Sequence, residues 1–173
     1  MDTIFAEATP PGRGGVSVVR LSGPQARSVL ESLAGPVVQP RHAALRALRD
    51  GDDVIDRALV LWFEAGRSFT GEEVAELHLH GAPVIAMRLT QALLARGLRR
   101  AEAGEFSKRA FLNGCMDLAE AEGLADLLSA ETEAQRRLAM RAAEGELGRK
   151  ADELRAKLIR AGALVEASID FEI

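Results

Sequence analysis

Apolar and polar residues alternate along the first part of the chain, and this alternation predicts a β-sheet. Five segments alternate or form short apolar runs between turn residues: 3–6, 16–21, 43–48, 55–63 and 74–80. Two further segments repeat their apolar residues at helical spacing. One opens near Pro24 and stops at Gly35-Pro36, and the other covers 82–96 and stops at Gly97. Strands and helices mixed in this order predict an α+β domain.

The pattern changes to helical spacing in the later part of the chain. A short helix over 106–112 is expected to stop at Asn113-Gly114, because both residues tolerate left-handed backbone angles. Asp117 and Glu120 then have the spacing of a capping box, which starts a new helix. We therefore predict long helices of a helical bundle after this point.

A heptad repeat runs through the predicted helical region. Its two positions are occupied by Met140, Leu147 and Leu154, and by Ala151, Leu158 and Val165. Such a seam needs a partner helix, so we expect part of this face to meet a segment outside the chain. The chain also stops at 171–173 without a closing turn, which suggests a truncated piece of a longer protein. We predict two domains, 1–116 and 117–173, of which the second is incomplete.

Composition narrows the class of protein. The chain has 47% hydrophobic and 28% charged residues, which is typical of a folded globular protein. Its net charge of −4 argues against a protein that coats nucleic acid along its whole surface. The single cysteine excludes an internal disulfide. We find neither an apolar run of about 20 residues nor a signal sequence, and therefore expect a soluble, cytoplasmic protein without a membrane partner.

The last predicted strand carries the first candidate chemistry. Leu77 and Leu79 alternate with Glu76, His78 and His80, so the three polar residues share one face. Two histidines could bind a metal ion, but a third ligand other than Glu76 is missing, and we predict no metal site. Glu76 is either a solvated carboxylate or a paired, functional one, since an unpaired buried carboxylate is costly.

Two features near the start of the chain also have alternative interpretations. The loop 10–15, Pro-Pro-Gly-Arg-Gly-Gly, resembles a phosphate cradle but lacks both the Walker A lysine and the dinucleotide fingerprint. A tight connection between strands is therefore the favoured interpretation. Arg20 closes the strand 16–21 and is either a surface residue or a bidentate partner for a ligand carboxylate.

Basic residues form three clusters that could contact RNA phosphates. They are Arg96, Arg99 and Arg100; Lys108 and Arg109; and Arg136, Arg137 and Arg141. Because 26 acidic residues outnumber 22 basic ones, solvated surfaces are the default interpretation and any RNA contact here is expected to be partial.

Taken together, the motifs resemble the N-terminal part of the bacterial tRNA-modification GTPase family MnmE, also called TrmE. The motifs lie in order along the chain at 3–6, 8–15, 20–23, 68–72, 76–77, 80–81, 104–107, 110–114, 117–131 and 169–171. Each motif alone is weak, but ten of them in order over the whole chain are specific.

The resemblance implies a fold like that of tetrahydrofolate-binding domains, followed by the first helices of a helical domain. It implies a homodimer formed through the N-terminal domain and a bound one-carbon donor, 5-formyl- or methylene-tetrahydrofolate. The family acts with its partner MnmG on tRNA and forms 5-carboxymethylaminomethyluridine at the wobble position. GTP, magnesium and potassium would bind only in the full-length protein, beyond residue 173.

The family's folate contacts carry over onto Arg20 and Glu76, with no catalytic residue in the chain. The glutamate carboxylate would accept neighbouring N–H groups of the pterin edge, and the arginine would hold a carbonyl or a tail carboxylate. The third contact does not carry over, because Cys115 stands where the family usually has lysine. A mostly neutral thiol lowers the expected affinity unless Lys108 or Arg109 substitutes for the missing charge.

Two other functions compete with this reading. The first is a structural module that dimerises and docks MnmG and tRNA without binding folate tightly. The second is an unrelated aminomethyltransferase-like enzyme, which a phosphate-binding loop soon after residue 173 would exclude.

Overall fold

The computed structural model describes residues 2–36 and 39–170, so the predicted motif at Phe171 lies outside the described residues. The chain divides into two compact units, Met1–Cys115 and Met116–Ile173. Among the described residues, the first unit contains a six-stranded sheet with three helices, and the second contains three helices. This arrangement confirms the predicted α+β class with a helical C-terminal part.

The strands follow the predicted segments closely. They are β1 (Ile4–Glu7), β2 (Val16–Ser22), β3 (Ala44–Asp50), β4 (Asp53–Phe63), β5 (Val74–His80) and β6 (Arg99–Arg100). The spatial order is β3-β4-β5-β2-β1-β6, with every neighbouring pair antiparallel except β1 and β6, which are parallel. The strand β6 was not predicted, because two consecutive arginines show no apolar alternation.

Two helices cover one face of this sheet. They are α1 (Ala26–Ala34) and α2 (Pro83–Ala95). The core forms between them and the inward residues of the strands, including Val19, Leu21, Leu77 and Leu79, all nearly inaccessible to solvent. The sequence places Pro24 near the first position of α1. The helix begins two residues later, at Ala26, because 23–25 form a turn. Strand alternation then places Arg20 and Glu76 on the opposite face, which we call the open sheet face.

The loop between β1 and β2 is a tight strand connection, as its chemistry suggests. The backbone N–H of Ala8 donates to Val18 O at 2.7 Å, and Val18 N–H donates to Thr9 Oγ1 at 3.1 Å. Farther along the loop, Gly14 N–H donates to Gly81 O at 3.0 Å. This last bond ties the loop to the residue that follows β5.

A third helix, α3 (Glu105–Leu112), joins the first unit through a buried ion network. The Arg109 side chain is only 5% exposed, and it lies 3.0 Å from Glu72, 3.1 Å from Glu105 and 2.7 Å from Asp2. Arg99 donates to both oxygens of Glu105, at 2.6 and 2.8 Å. The hydrogen bond from Arg99, assisted by those from the Glu102 backbone and Arg109, lowers the pKa of Glu105 to about 2. Glu105 therefore stays ionised at neutral pH.

Within the described residues, the second unit has three helices, and the first two begin at capping boxes. The three are α4 (Leu118–Ser129), α5 (Glu133–Ala143) and α6 (Glu146–Asp170). Asp117 accepts from Glu120 N–H while the Glu120 carboxylate accepts from Asp117 N–H, which confirms the predicted capping box. Thr132 and Gln135 form a second box, with a glutamine in place of the more familiar glutamate. The predicted stop at Asn113-Gly114 is also present, with Gly114 at φ 71°.

The heptad seam is interrupted. Gly145 adopts φ 73° between α5 and α6, so Met140 and Leu147 lie on different helices although they are seven residues apart. The seam survives only along α6, where Leu147, Leu154 and Leu158 are exposed within this unit. A periodicity counted from residue to residue cannot detect such a break, because a single left-handed residue changes the direction of the chain.

Candidate ligand-binding site on the open sheet face

Arg20 and Glu76 face each other across β2 and β5. They are direct register partners in this antiparallel pair, although 56 positions separate them in the chain. Arg20 donates from Nε to Glu76 Oε1 at 2.8 Å, and its Nη2 lies 2.7 Å from the same oxygen. The Glu76 side chain is 16% exposed and that of Arg20 is 33% exposed, so the pair is half-buried but reachable from solvent.

The histidines on β5 each contact a carboxylate. His78 Nε2 lies 3.2 Å from Glu76 Oε2, and His80 Nδ1 lies 2.8 Å from Asp56 Oδ1. Asp56 Oδ2 also accepts the backbone N–H of His80 at 2.8 Å. Within 2–36 and 39–170, no group of three His, Cys, Asp or Glu residues is arranged to hold a metal ion.

The segment 68–73 forms a wall at one end of this face. Ser22 shares the face of Arg20 by strand alternation, but this segment covers it and it is buried. Its hydroxyl lies 2.7 Å from Thr70 Oγ1 and donates to Glu72 at 2.7 Å. The Phe69 ring projects from the wall, with its centroid 5.9 Å from the Arg20 guanidinium carbon. Phe69 is partly exposed, so a flat apolar surface stands beside the ion pair.

Cys115 lies behind the same wall. A Cβ atom placed on Gly71 would lie 2.8 Å from Cys115 Sγ, and Gly71 has φ 76°. Asn113 Nδ2 donates to Thr70 O at 2.7 Å and fixes the end of α3 against this segment. The thiol is exposed and lies next to the segment 68–73.

This arrangement can bind a flat ligand that has hydrogen-bond donors on one edge. Glu76 is held in place by Arg20 and His78, yet its oxygens have acceptor capacity left, since a carboxylate has about four lone-pair sites. The guanidinium of Arg20 uses Nε and Nη2 for Glu76, which leaves Nη1 for a ligand oxygen. The ring of Phe69 offers an apolar side to the same space.

The structure separates the predicted basic clusters into paired and unpaired residues. Most of their arginines are engaged by carboxylates: Arg96, Arg99, Arg109, Arg136, Arg137 and Arg141. Only Arg100 and Lys108 of these clusters lack a carboxylate partner within the described part of the chain. The clusters are thus largely neutralised, which favours the solvated-surface interpretation over RNA contact.

The roles of two residues of this region, Phe69 and Asp56, cannot be predicted from their local sequence. Phe69 was visible only as part of a motif, and nothing in its local pattern indicates a neighbour on β2. Asp56 is 24 positions from His80, and their contact depends on strand register alone.

No helix within the described ranges is long and apolar enough to cross a membrane.

The chain matches known proteins over nearly its whole length. Residues 3–115 match the family model of the GTP-binding protein TrmE N-terminus, and residues 118–173 match that of the MnmE helical domain. Over 171 residues it is 88% identical to the tRNA modification GTPase MnmE of Paracoccus denitrificans, covering 99% of this chain and 41% of that protein.

More distant relatives give the same result. The identity is 55% over 172 residues to the protein of the same name from Cereibacter sphaeroides, with 99% of this chain and 40% of that protein covered. It is 51% over 171 residues to that from Phenylobacterium zucineum, with 98% and 38% covered. The chain thus spans about two fifths of the length of these curated relatives. The motifs, the fold and these matches agree, and the chain belongs to the MnmE (TrmE) family of tRNA modification GTPases.

Proposed function

We propose that this chain is the folate-binding and dimer-forming part of a tRNA modification GTPase. Residues 1–116 would form the folate-binding domain, and residues 117–173 the first helices of the helical domain. The bound cofactor would be 5-formyl- or methylene-tetrahydrofolate, held by Arg20 and Glu76. The observation that carries this proposal is the half-buried Arg20–Glu76 pair beside Phe69 on the open sheet face.

The chemistry of the pair supports a pterin ligand. A carboxylate that accepts two neighbouring N–H groups gains a charge-assisted, bidentate contact, which is among the stronger hydrogen-bonding arrangements in proteins. Because Arg20 and His78 already fix the Glu76 carboxylate, little side-chain entropy would be lost when the ligand binds. Arg20 Nη1 would contact a carbonyl or a tail carboxylate of the same ligand.

In the full-length protein, this folate would supply the one-carbon unit for the wobble uridine of tRNA. The protein would act with MnmG and form 5-carboxymethylaminomethyluridine in the cytoplasm. GTP, magnesium and potassium would bind to parts of the protein outside this chain. The exposed leucines of α6 would pack against the remainder of the helical domain.

Calorimetry with 5-formyl-tetrahydrofolate tests the cofactor site. We expect micromolar binding by the 173-residue chain and at least about a hundredfold loss in the Glu76→Ala variant, since a charged hydrogen-bonding partner disappears. Glu64→Ala is the matched control, because the ion pair recorded for Glu64 among the described residues is with the exposed Arg67, at 3.3 Å. Absence of heat at millimolar ligand would reject folate binding and leave the docking module as the better reading.

Restoring the family's lysine at Cys115 is a second test of the same site. The Cys115→Lys variant should bind 5-formyl-tetrahydrofolate about five times more tightly, since one exposed ion pair contributes up to about 1 kcal/mol. The gain should shrink as salt is added, because exposed charges are screened. Cys115→Met adds length without charge, and an equal gain in that variant would show that packing, not charge, is responsible.

Exposed apolar residues on the open sheet face support the proposed homodimer. Val16, Leu45 and Leu59 lie on this face and are exposed, as is Phe69 on the neighbouring wall. Exposed apolar residues grouped on one face in this way are typical of an interaction surface. In a two-fold interface each of these residues would be buried twice, once from each copy.

Sedimentation velocity tests the dimer. Leu59→Glu should raise the dimer dissociation constant about a hundredfold, because two carboxylates would be buried without partners. Val84→Glu is the control, since Val84 is equally apolar and exposed but belongs to α2 on the other side of the sheet. Dimers that persist in Leu59→Glu, or a wild-type chain that is monomeric at high concentration, would contradict this interface.

A further inference from the structure

A cavity lies on the opposite side of the sheet from Arg20 and Glu76. Its volume is about 220 Å³, and it is bordered by the loop after β1, the inward faces of β1 and β2, and the first turns of α2. It opens to solvent, and Glu7, Met87 and Arg100 at its mouth are exposed. Pro11 and Gly12 form one wall, and Ala86 and Met87 form the facing wall. Drug-sized ligands occupy about 300–1,000 Å³, so this cavity fits a smaller molecule.

The wall formed by the loop is fixed in place by its backbone. Gly14 N–H donates to Gly81 O at 3.0 Å, and a Cβ on Gly81 would lie only 2.3 Å from Gly14 O. The two backbones can approach this closely only because residue 81 has no side chain. The cavity is therefore a defined feature of the fold and not a gap under a loose loop.

Two opposite charges line this cavity without neutralising each other. Glu7 accepts a hydrogen bond from the buried Ser17 hydroxyl at 2.7 Å, and the Arg100 guanidinium lies 5.9 Å from the centroid of the Phe5 ring. Neither side chain forms an ion pair within the residues that the structure describes.

Strand register explains why they stay apart. Phe5 and Arg100 are direct partners in the parallel pair of β1 and β6, and Glu7 lies two residues farther along β1 on the same face. This spacing puts the Cα atoms of Glu7 and Arg100 about 8 Å apart. Ser17 and Phe5 then hold the two side chains on either side of the intervening space. An anion and a cation are thus presented to one small cavity.

We propose that this cavity binds a small zwitterion of the α-amino acid type. The ligand carboxylate would pair with Arg100, and its ammonium group would pair with Glu7. Met87, Val19 and Pro11 provide the apolar lining for a short side chain. A ligand with only one of the two charges would leave the other protein charge without a partner, and so the site would discriminate against it.

Methyl NMR of the chain labelled at methionine with carbon-13 tests this proposal. Met87 lines the cavity, whereas Met140 lies in the second unit and serves as an internal reference. The probes are alanine, N-acetylalanine, which lacks the cation, and alaninamide, which lacks the anion. Alanine should shift the Met87 signal in a saturable manner, and the other two probes should bind at least tenfold more weakly.

Substitutions identify the charges responsible. Glu7→Gln keeps an acceptor for Ser17, and Arg100→Gln keeps a polar side chain, yet each should raise the dissociation constant for alanine at least tenfold. Arg46→Gln, on the edge strand β3, should bind alanine like the wild type. The proposal is overturned by an unchanged Met87 signal at tens of millimolar alanine, by equal shifts with all three probes, or by wild-type affinity in both cavity variants. Because the cavity and the Arg20–Glu76 pair lie on opposite faces, such a result would leave the folate proposal unaffected.

Discussion

Replacing Arg109 with alanine should destabilise the first unit by about 3–5 kcal/mol, because it breaks a buried ion network by removing one partner. Arg109 is 5% exposed and donates to Glu72, Glu105 and the backbone oxygen of Asp2. Its loss would leave the Glu72 carboxylate with Ser22 as its remaining side-chain partner. Desolvation of that charge would no longer be compensated.

Urea denaturation followed by tryptophan fluorescence measures this effect. Trp62 is the single tryptophan and is buried in the core of the first unit, so its signal reports on that unit alone. Arg67→Ala is the control, because the Arg67–Glu64 pair is exposed and such pairs contribute about 0–1 kcal/mol. A loss below about 1 kcal/mol for Arg109→Ala would mean that water solvates the network and that it does not fasten α3.

Gly81→Ala should have the second largest effect on stability, about 3 kcal/mol, which is the upper end of the usual cost of overpacking. The new methyl group would lie 2.3 Å from Gly14 O and 2.6 Å from Gly14 C. Both neighbours are backbone atoms, so the clash cannot be relieved by rotating a side chain. The loop must move, and the hydrogen bond from Gly14 to Gly81 would be lost with it.

The same loop contains a matched control. No atom lies within 4 Å of a Cβ built on Gly15, and its φ is not in the left-handed region. Gly15→Ala should therefore change the free energy of unfolding by no more than about 0.5 kcal/mol. If the two substitutions have equal effects in the Trp62 fluorescence assay, the close backbone approach at Gly81 is not the cause.

The sequence predicted an element well where residues close together in the chain determine its structure. The strand β5 follows its alternating pattern from Val74 to His80, and the capping box at Asp117 depends on residues only three apart. In contrast, β6 exists only because Arg99 and Arg100 pair with β1. No local pattern encodes a partner that is ninety-five residues away.

In the candidate site, too, the individual residues could be predicted from the sequence, but the contacts between them could not. Family motifs identified Arg20 and Glu76 as individual residues, but their pairing follows from the register of β2 against β5. A shift of that register by one residue would turn the two side chains to opposite faces. The Phe69 contact and the position of Cys115 behind Gly71 depend further on how 68–73 folds over the end of the sheet. Long-range contacts of this kind require the structure.

The order of the strands also constrains how the first unit is synthesised. The first strand, β1, is not an edge: it lies between β2 and β6, and β6 is the last strand to leave the ribosome. The partner of β2 on its other side, β5, is likewise made late, so this edge of β2 stays unpaired until residues 74–80 are made. Pairing between distant strands is slow because the loop must close before the contacts form. The nascent chain should therefore have no complete sheet until about residue 100 has emerged, and the hairpins β1–β2 and β3–β4, each made of consecutive strands, are the pairs that can form earlier.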